Sequence, residues 1–141
     1  MLANILSIGY ERRSVDELVA ILKSHGVGKL IDVREIPQSR KRGFSKTGLA
    51  ATLADAGIAY VHIRSAGNPH HKEKVNTAVC LGKYAGYLAS NPAVLDDVVR
   101  EFGSQPTAVL CYERLHNSCH RSILLEAVKA SGHQLRVTTV E

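Results

Sequence analysis

Strand-like apolar segments alternate with helix-like amphipathic segments along the whole chain, and this alternation restricts the fold more than any other feature. The strand segments are 4–8, 30–33, 59–63, 107–111 and 134–139, and segments with apolar residues at helical spacing lie between them. This order predicts an α/β three-layer sandwich, with a mostly parallel, about five-stranded sheet and helices on both faces. Right-handed crossovers are expected between the parallel strands.

The helix ends carry recognisable signals. Ser14 and Glu17 have the spacing of a capping box, and Gly26 is expected to end the first helix. The second helix is predicted over 47–56, and the last over 119–131 with Asn117 or Ser118 as its N-cap. The polar stretch 64–76 is expected to be a loop.

Length and composition indicate one ordinary globular domain over residues 1–141. The chain has 141 residues, 45% of them hydrophobic and 22% charged. No apolar run approaches the ~18 residues of a membrane span, and the first residues lack the basic segment of a signal peptide. Three cysteines are too few for a secreted disulfide framework. We therefore expect a cytoplasmic protein with reduced thiols and no membrane partner.

Positive charge is concentrated after the predicted strands. The segments that follow the first four strands hold twelve of the 18 Lys and Arg residues but only four of the 13 acidic residues. They carry a net +8, and the rest of the chain carries −3. Parallel strands end at one edge of a sheet, where ligands of such folds bind. The pattern favours a cationic cleft for an anion over loops that are merely solvated.

The loop between Cys111 and Cys119 carries the strongest chemical signal. Cys111 ends an apolar strand, and Cys119-His120-Arg121 begins a helix, where N–H groups and the helix dipole attract anions and activate thiols. The candidate catalytic residues are Cys111, Cys119, His120, Glu113 and His62. As structural alternatives, Cys111 is a small apolar residue at a buried strand end and His62 a hydrogen-bonded framework residue. Cys119 is expected to be exposed, and Cys80 to belong to the core.

Residues that follow the strands are the candidate substrate-binding groups. Arg34 and Arg121 would hold an anion with their planar guanidinium groups. The full set is Gly9, Tyr10, Arg12, Arg34, Ser39, Arg40 and Arg121. Asp32 lies inside an apolar strand and needs a partner such as Arg34, so it is expected to organise the cleft rather than react.

A metal or redox role for the same loop is an alternative. Cys111, His116, Cys119 and His120 are ligand types that zinc prefers. The chain has no Cys-x-x-Cys pair, and neighbouring ligands at 119 and 120 are awkward on a helix, so no residue is assigned as a metal ligand. Cys111 and Cys119 form a redox pair if their Cα atoms lie within about 7 Å.

Several motifs together resemble a family of unknown function called domain of unknown function 488. They are Ile8-Gly9-Tyr10-Glu11-Arg12, Ile31-Asp32-Val33-Arg34 with Pro37-Gln38-Ser39-Arg40, Tyr60-Val61-His62, Cys111-Tyr112-Glu113 and Cys119-His120-Arg121-Ser122. The resemblance covers nearly the whole chain and implies an α/β fold in a small cytosolic protein. It implies no reaction. Tyr10 stands where the family often has His, and Ala66-Gly67-Asn68 replaces its usual Leu-Gly-Gly.

Two main functions follow from these patterns. In the first, the cationic Cys/His/Arg cleft of an enzyme or sensor binds a small anionic ligand of phosphate or nucleotide type, and the enzyme is a thiolate-dependent transferase or hydrolase. In the second, the protein binds nucleic acid through Arg40-Lys41-Arg42 and His70-His71-Lys72, with Tyr10, Phe44 and Tyr112 as stacking residues. The sequence identifies no cofactor and no oligomeric state.

Overall fold

The computed structural model describes residues 2–141 and contains a sheet of five parallel strands. The strands are β1 (Leu2–Gly9), β2 (Lys29–Asp32), β3 (Ala59–His62), β4 (Thr107–Cys111) and β5 (Gln134–Val140). Their order across the sheet is β3-β2-β4-β1-β5, and every neighbouring pair is parallel. The α/β fold class predicted from the alternation is confirmed.

Helices cover both faces of this sheet. They are α1 (Val15–Ser24), α2 (Lys46–Asp55), α3 (Thr77–Ser90), α4 (Ala93–Val99) and α5 (His120–Ala130). One apolar cluster joins α1 and α2 to one face, and a second cluster joins α3, α4 and α5 to the other. Three layers result, as the sequence predicts.

Side-chain alternation along the central strands builds these two cores. Successive residues of a strand point to opposite faces, so Val109 of β4 packs in the cluster with α3–α5 and Leu110 in the cluster with α1 and α2. All five residues of β4 are buried, because the strand lies in the middle of the sheet and has helices on both sides.

The start of α1 agrees with the sequence prediction, whereas the start of α5 differs from it. The Ser14–Glu17 capping box at the start of α1 is present. The stretch 64–76 contains a 3₁₀ turn over Arg64–Ala66, and a second 3₁₀ turn over His116–Ser118 precedes α5. The predicted N-cap of α5 was wrong, since Cys119 itself occupies that position in extended conformation.

Parallel pairing brings the ends of the strands to one edge of the sheet. Gly9 of β1 lies beside Cys111 of β4, and Asp32 of β2 lies between His62 of β3 and Leu110 of β4. The four chain segments that follow β1, β2, β3 and β4 therefore start from the same edge of the sheet, which we call the carboxyl edge.

In residues 2–141 no helix combines the length and apolar character needed to cross a membrane.

Candidate functional site

A cavity of about 180 Å³ opens at the carboxyl edge, where the ends of β2, β4 and β1 meet. Its wall contains Cys111 and the two residues that follow it, together with His120 at the start of α5. The remaining lining residues are Tyr10, Arg34, Glu35, Ile36, Gln38, Asn68 and His71. The cavity thus collects side chains from five separate segments of the chain.

Two buried cysteines lie at this site, Cys111 at the end of β4 and Cys119 directly before α5. Cys111 is 1% exposed and Cys119 is fully buried, so the expectation of an exposed Cys119 was wrong. Cys119 lies in the cluster with Tyr84 and Leu124, because α3 packs over the start of α5. Their sulfur atoms are joined as in a disulfide, although their Cα atoms are 7.6 Å apart. Disulfides usually span about 4.4–6.8 Å between Cα atoms, so the separation lies just outside the limit of about 7 Å set for a redox pair. A relaxed S–S bond therefore needs the two backbones to move slightly closer together.

A carboxylate and an imidazole contact the two sulfur atoms. Glu113 Oε2 lies 3.2 Å from Cys111 Sγ, and His120 Nδ1 lies 3.7 Å from Cys119 Sγ. The other ring nitrogen of His120 donates to the Val33 carbonyl at 2.8 Å, which leaves Nδ1 as an acceptor. Burial lowers the pKa of His120 to about 4, so this ring is neutral near pH 7.

A buried ion pair supports the opposite wall of the cavity. Arg34 binds the Asp32 carboxylate through Nε at 2.9 Å and through a terminal nitrogen at 2.7 Å, and Tyr60 donates to the same carboxylate at 2.5 Å. Arg34 also donates to the Phe44 carbonyl and to the Tyr10 hydroxyl. Burial opposes the charge of Arg34, but the bonds to Asp32 raise its pKa above the ordinary value. These bonds hold the guanidinium in place beside the cavity.

Gly9 allows the loop after β4 to lie directly over the end of β1. A Cβ at Gly9 would overlap the backbone carbonyl of Glu113. That carbonyl accepts a bond of 2.7 Å from Arg121, a fully buried arginine of α5. These two contacts fix the carbonyl of Glu113, whose carboxylate lies 3.2 Å from Cys111 Sγ.

Arg121 lies behind the cavity instead of lining it. Its Nε and one terminal nitrogen have no hydrogen-bond partner among residues 2–141. Burial lowers its pKa to about 10, while the nearby carboxylates of Glu113 and Glu141 act in the opposite direction. In this arrangement Arg121 supports the loop 112–118 from beneath.

The other sequence-predicted residues lie at the same edge but outside the cavity. His62 Nε2 donates to the Arg34 carbonyl at 2.6 Å. Arg12 is an exposed turn residue with φ 61°. Ser39 and Arg40 line a neighbouring open groove with His71 and other residues.

Some contacts of the site were not found from the sequence. Tyr60 lies on β3 and reaches Asp32 across the sheet, and Asn68 is buried with its amide 3.2 Å from Cys80 Sγ. His116, a candidate metal ligand, instead binds the Ser7 hydroxyl at 2.7 Å. Cys80 is partly buried and lies outside both apolar clusters, so its placement in the core was wrong.

Aromatic residues at this edge pack mainly against one another. The rings of Tyr10 and Phe44 are stacked at 4.5 Å between centroids, and both side chains are buried. Tyr112 packs edge-on against Tyr10 and is 50% exposed. Phe44 is therefore excluded as a stacking residue for a nucleobase, and Tyr112 alone of these three presents a broad ring surface to solvent.

Fold and site together define a parallel α/β protein with a buried cysteine pair at the carboxyl edge of its sheet. The chain belongs to the family described as domain of unknown function DUF488, whose model matches residues 14–128. The resemblance found in the motifs is thereby confirmed. No curated protein and no solved structure matches the chain. The family description names no reaction.

Proposed function

We propose that this protein is a cysteine-dependent enzyme that acts on a small anionic substrate, with Cys111 as the nucleophile and Cys119 as the second thiol of a redox pair. One observation carries the proposal. Cys111 lines the cavity, contacts the Glu113 carboxylate, and lies within bonding distance of Cys119.

The surroundings of Cys111 suit a thiol that must lose its proton. In the reduced protein its S–H donates to Glu113 Oε2, which is 3.2 Å away. A carboxylate so placed accepts the proton when the sulfur attacks an electrophile. Cys111 is also the sulfur that faces the cavity, whereas Cys119 is absent from the cavity wall.

Cys119 decides the fate of a covalent intermediate on Cys111. With a disulfide as substrate, Cys111 attacks one sulfur, forms a mixed disulfide, and releases the first thiol with the proton held by Glu113. Cys119 then attacks the Cys111 sulfur, and its own proton passes to the second released thiol. The substrate disulfide is reduced by two electrons and the Cys111–Cys119 disulfide forms. A resolving thiol this close favours such a redox transfer over hydrolysis.

Charge at the carboxyl edge favours an anion. Arg34 lines the cavity, and Arg40 and Lys72 line the open groove beside it. The Glu35 and Glu113 carboxylates share the cavity wall, and Glu35 contacts His71 Nε2 at 3.1 Å. We therefore assign the attraction of the substrate to the surrounding cations, and the chemistry to the two thiols and Glu113.

Trapping of the mixed disulfide tests this assignment. Reduced, metal-free protein is treated with glutathione disulfide as an anionic probe and with cystamine as a cationic one, and each cysteine is mapped by mass spectrometry. Cys119→Ser should retain glutathione on Cys111, while the unmodified chain should form the Cys111–Cys119 disulfide. The Cys80→Ser variant is the control and should behave as the unmodified chain does.

Two results would overturn the proposal. One is labelling at Cys80 with none at Cys111 in folded protein. The other is equal reaction of Cys111 with both probes at the rate of the denatured chain, which would show that the site neither activates the thiol nor selects an anion.

A further inference from the structure

Three donor atoms of soft-metal type converge beside the cavity, and two of the three residues that supply them line it. The Sγ atoms of Cys111 and Cys119 and a ring nitrogen of His120 all lie within 4.8 Å of one another. They come from the end of β4 and the start of α5, two elements fixed by the core. Thiolate and imidazole are the ligands that zinc prefers.

The imidazole is held in the form that a metal requires. Its Nε2–H donates to the Val33 carbonyl at 2.8 Å, so the lone pair of Nδ1 is directed to the side of Cys119 Sγ, 3.7 Å away. Histidines that bind metals usually donate their other ring N–H to a carbonyl or carboxylate in this way. Tyr84 packs edge-on against the same ring at 4.9 Å and further restricts its orientation.

The backbone of Cys119 removes the main objection to neighbouring ligands. On a helix, the side chains of residues 119 and 120 would diverge by about 100°. Cys119 instead precedes the helix, with φ −115° and ψ 149°, and His120 is the first helical residue. The change of backbone conformation between them lets both side chains turn to Cys111.

The spacing of the two cysteines also suits a shared ion. Their Cα atoms are 7.6 Å apart, beyond the ~4.4–6.8 Å that disulfides usually span. Two thiolates bound to one tetrahedral zinc ion at about 2.3 Å each lie roughly 3.7 Å apart, which needs a wider separation of the backbones than a direct S–S bond.

We propose that the reduced protein binds one thiophilic divalent cation, Zn²⁺ or a similar ion, through Cys111, Cys119 and His120. Binding displaces two thiol protons and transfers no electrons. Cys111 and His120 both line the cavity, so the fourth position of the ion opens to it, beside the Glu113 carboxylate. A site with three protein ligands and an open position is the form found in catalytic zinc centres.

This site uses the thiols of the proposed function but does not depend on that function. The ion requires both thiols in reduced form, whereas the redox reaction consumes them. Metal binding and disulfide formation therefore exclude each other, and each is measured separately.

Cobalt spectroscopy of the full chain tests the site. Reduced, metal-free protein is titrated with Co²⁺ without oxygen. One equivalent should produce the visible bands of tetrahedral Co²⁺ and the near-ultraviolet band of thiolate ligation, and Zn²⁺ should remove both. Zn²⁺ should also protect two of the three thiols from a disulfide-forming reagent and leave Cys80 reactive.

Variants connect the spectrum to the three ligands. Cys111→Ser, Cys119→Ser and His120→Ala should each weaken Co²⁺ binding by about tenfold or more. Cys80→Ser and His133→Gln are the matched controls and should keep the spectrum. Circular dichroism of each variant shows that the fold is retained.

The outcomes separate this proposal from the proposed function. Octahedral Co²⁺ bands, or tetrahedral bands that survive both Cys119→Ser and His120→Ala, would overturn the metal site and leave the mixed-disulfide result unaffected. Metal binding without any trapped mixed disulfide would overturn the redox function alone.

Discussion

Gly9 has a role that only its missing side chain explains. The Glu113 carbonyl lies where a Cβ of residue 9 would be, and the same carbonyl accepts a bond from the buried Arg121. Any side chain at this position must displace the backbone of Glu113, whose carboxylate contacts Cys111. Glycine is required at this position by the close approach of two chain segments.

Gly9→Ala should therefore lower the free energy of unfolding by about 1–3 kcal/mol, the usual cost of overpacking. Urea unfolding measures this loss. Gly48→Ala is the matched control, because nothing lies within 4 Å of a Cβ there and residue 48 is inside α2, where Ala is favoured by about 0.5–1 kcal/mol. Equal effects of the two substitutions would contradict the assigned contact.

The sequence predicted which residues belong to the site better than it predicted what their side chains contact. A buried Asp needs a partner, and the sequence correctly indicated Arg34 for Asp32. Most N–H groups of Arg34, however, bind Asp32, Tyr10 and the Phe44 carbonyl. The last contact depends on the path of the loop before α2, which no local pattern encodes. The role of Arg34 as an anion-binding residue stays a prediction.

At the scale of elements, local signals located the helices and strands, but tertiary packing decided which side chains they bury. The capping box at Ser14 involves residues three apart, and it formed as predicted. The burial of Cys119 depends on α3 packing across the start of α5, more than thirty residues away in the chain. Helical periodicity contains no information on that contact, so an exposed cysteine was the wrong expectation.

The capping box gives α1 a pH-dependent start. Ser14 Oγ accepts from the Glu17 N–H at 3.1 Å, and Glu17 accepts from the Ser14 N–H at 2.9 Å. Hydrogen bonds from Ser14 lower the pKa of Glu17. A carboxylate whose pKa is lowered by folding stabilises the folded state at pH values above the ordinary pKa of that carboxyl group. This contribution is lost as the pH falls through the lowered pKa.

Ser14→Ala should cost about 1 kcal/mol of stability at pH 7, as lost N-caps usually do. Glu17→Gln should leave a stability that varies less with pH below pH 5 than that of the unmodified chain. Urea midpoints between pH 3 and pH 7 measure both effects. Ser104→Ala, a substitution at an exposed loop residue, is the control. An identical pH profile for Glu17→Gln and the unmodified chain would contradict the role of the carboxylate.

At the scale of the whole molecule, alternation determined that the sheet is parallel but not the order of its strands. In the order β3-β2-β4-β1-β5, β4 lies between β2 and β1, neither of which is next to it along the chain. Hydrophobic runs such as 30–33 and 107–111 identify buried strands without naming their partners. The meeting of Asp32, Gly9 and Cys111 at one edge follows from parallel pairing alone. The cavity at that edge also requires the observed order, which brings the residues after β1 and β2 next to the end of β4.

The same pairing separates the charges of the molecule. The segments that follow each of the first four strands start at the carboxyl edge and hold the excess of Lys and Arg. The helices run back from this edge, so Lys23 and Lys129, in the last turns of α1 and α5, lie near the opposite edge. Lys23 and Lys129 thus match Arg40 and Lys72 in charge but lie at the other edge of the sheet from the groove that Arg40 and Lys72 line.

Arg40→Glu with Lys72→Glu, which reverses the two cations of the groove beside the cavity, should slow the reaction with glutathione disulfide about tenfold at low salt, because the steering field acts at the cavity mouth. Lys23→Glu with Lys129→Glu changes the net charge equally and should leave the rate nearly unchanged. Stopped-flow measurement at two ionic strengths gives both rates, and the difference should vanish at high salt. Binding of a short DNA duplex with a steep salt dependence that only the first pair abolishes would favour the nucleic-acid function instead. Equal rates for the two double variants would show that no directed field serves the site.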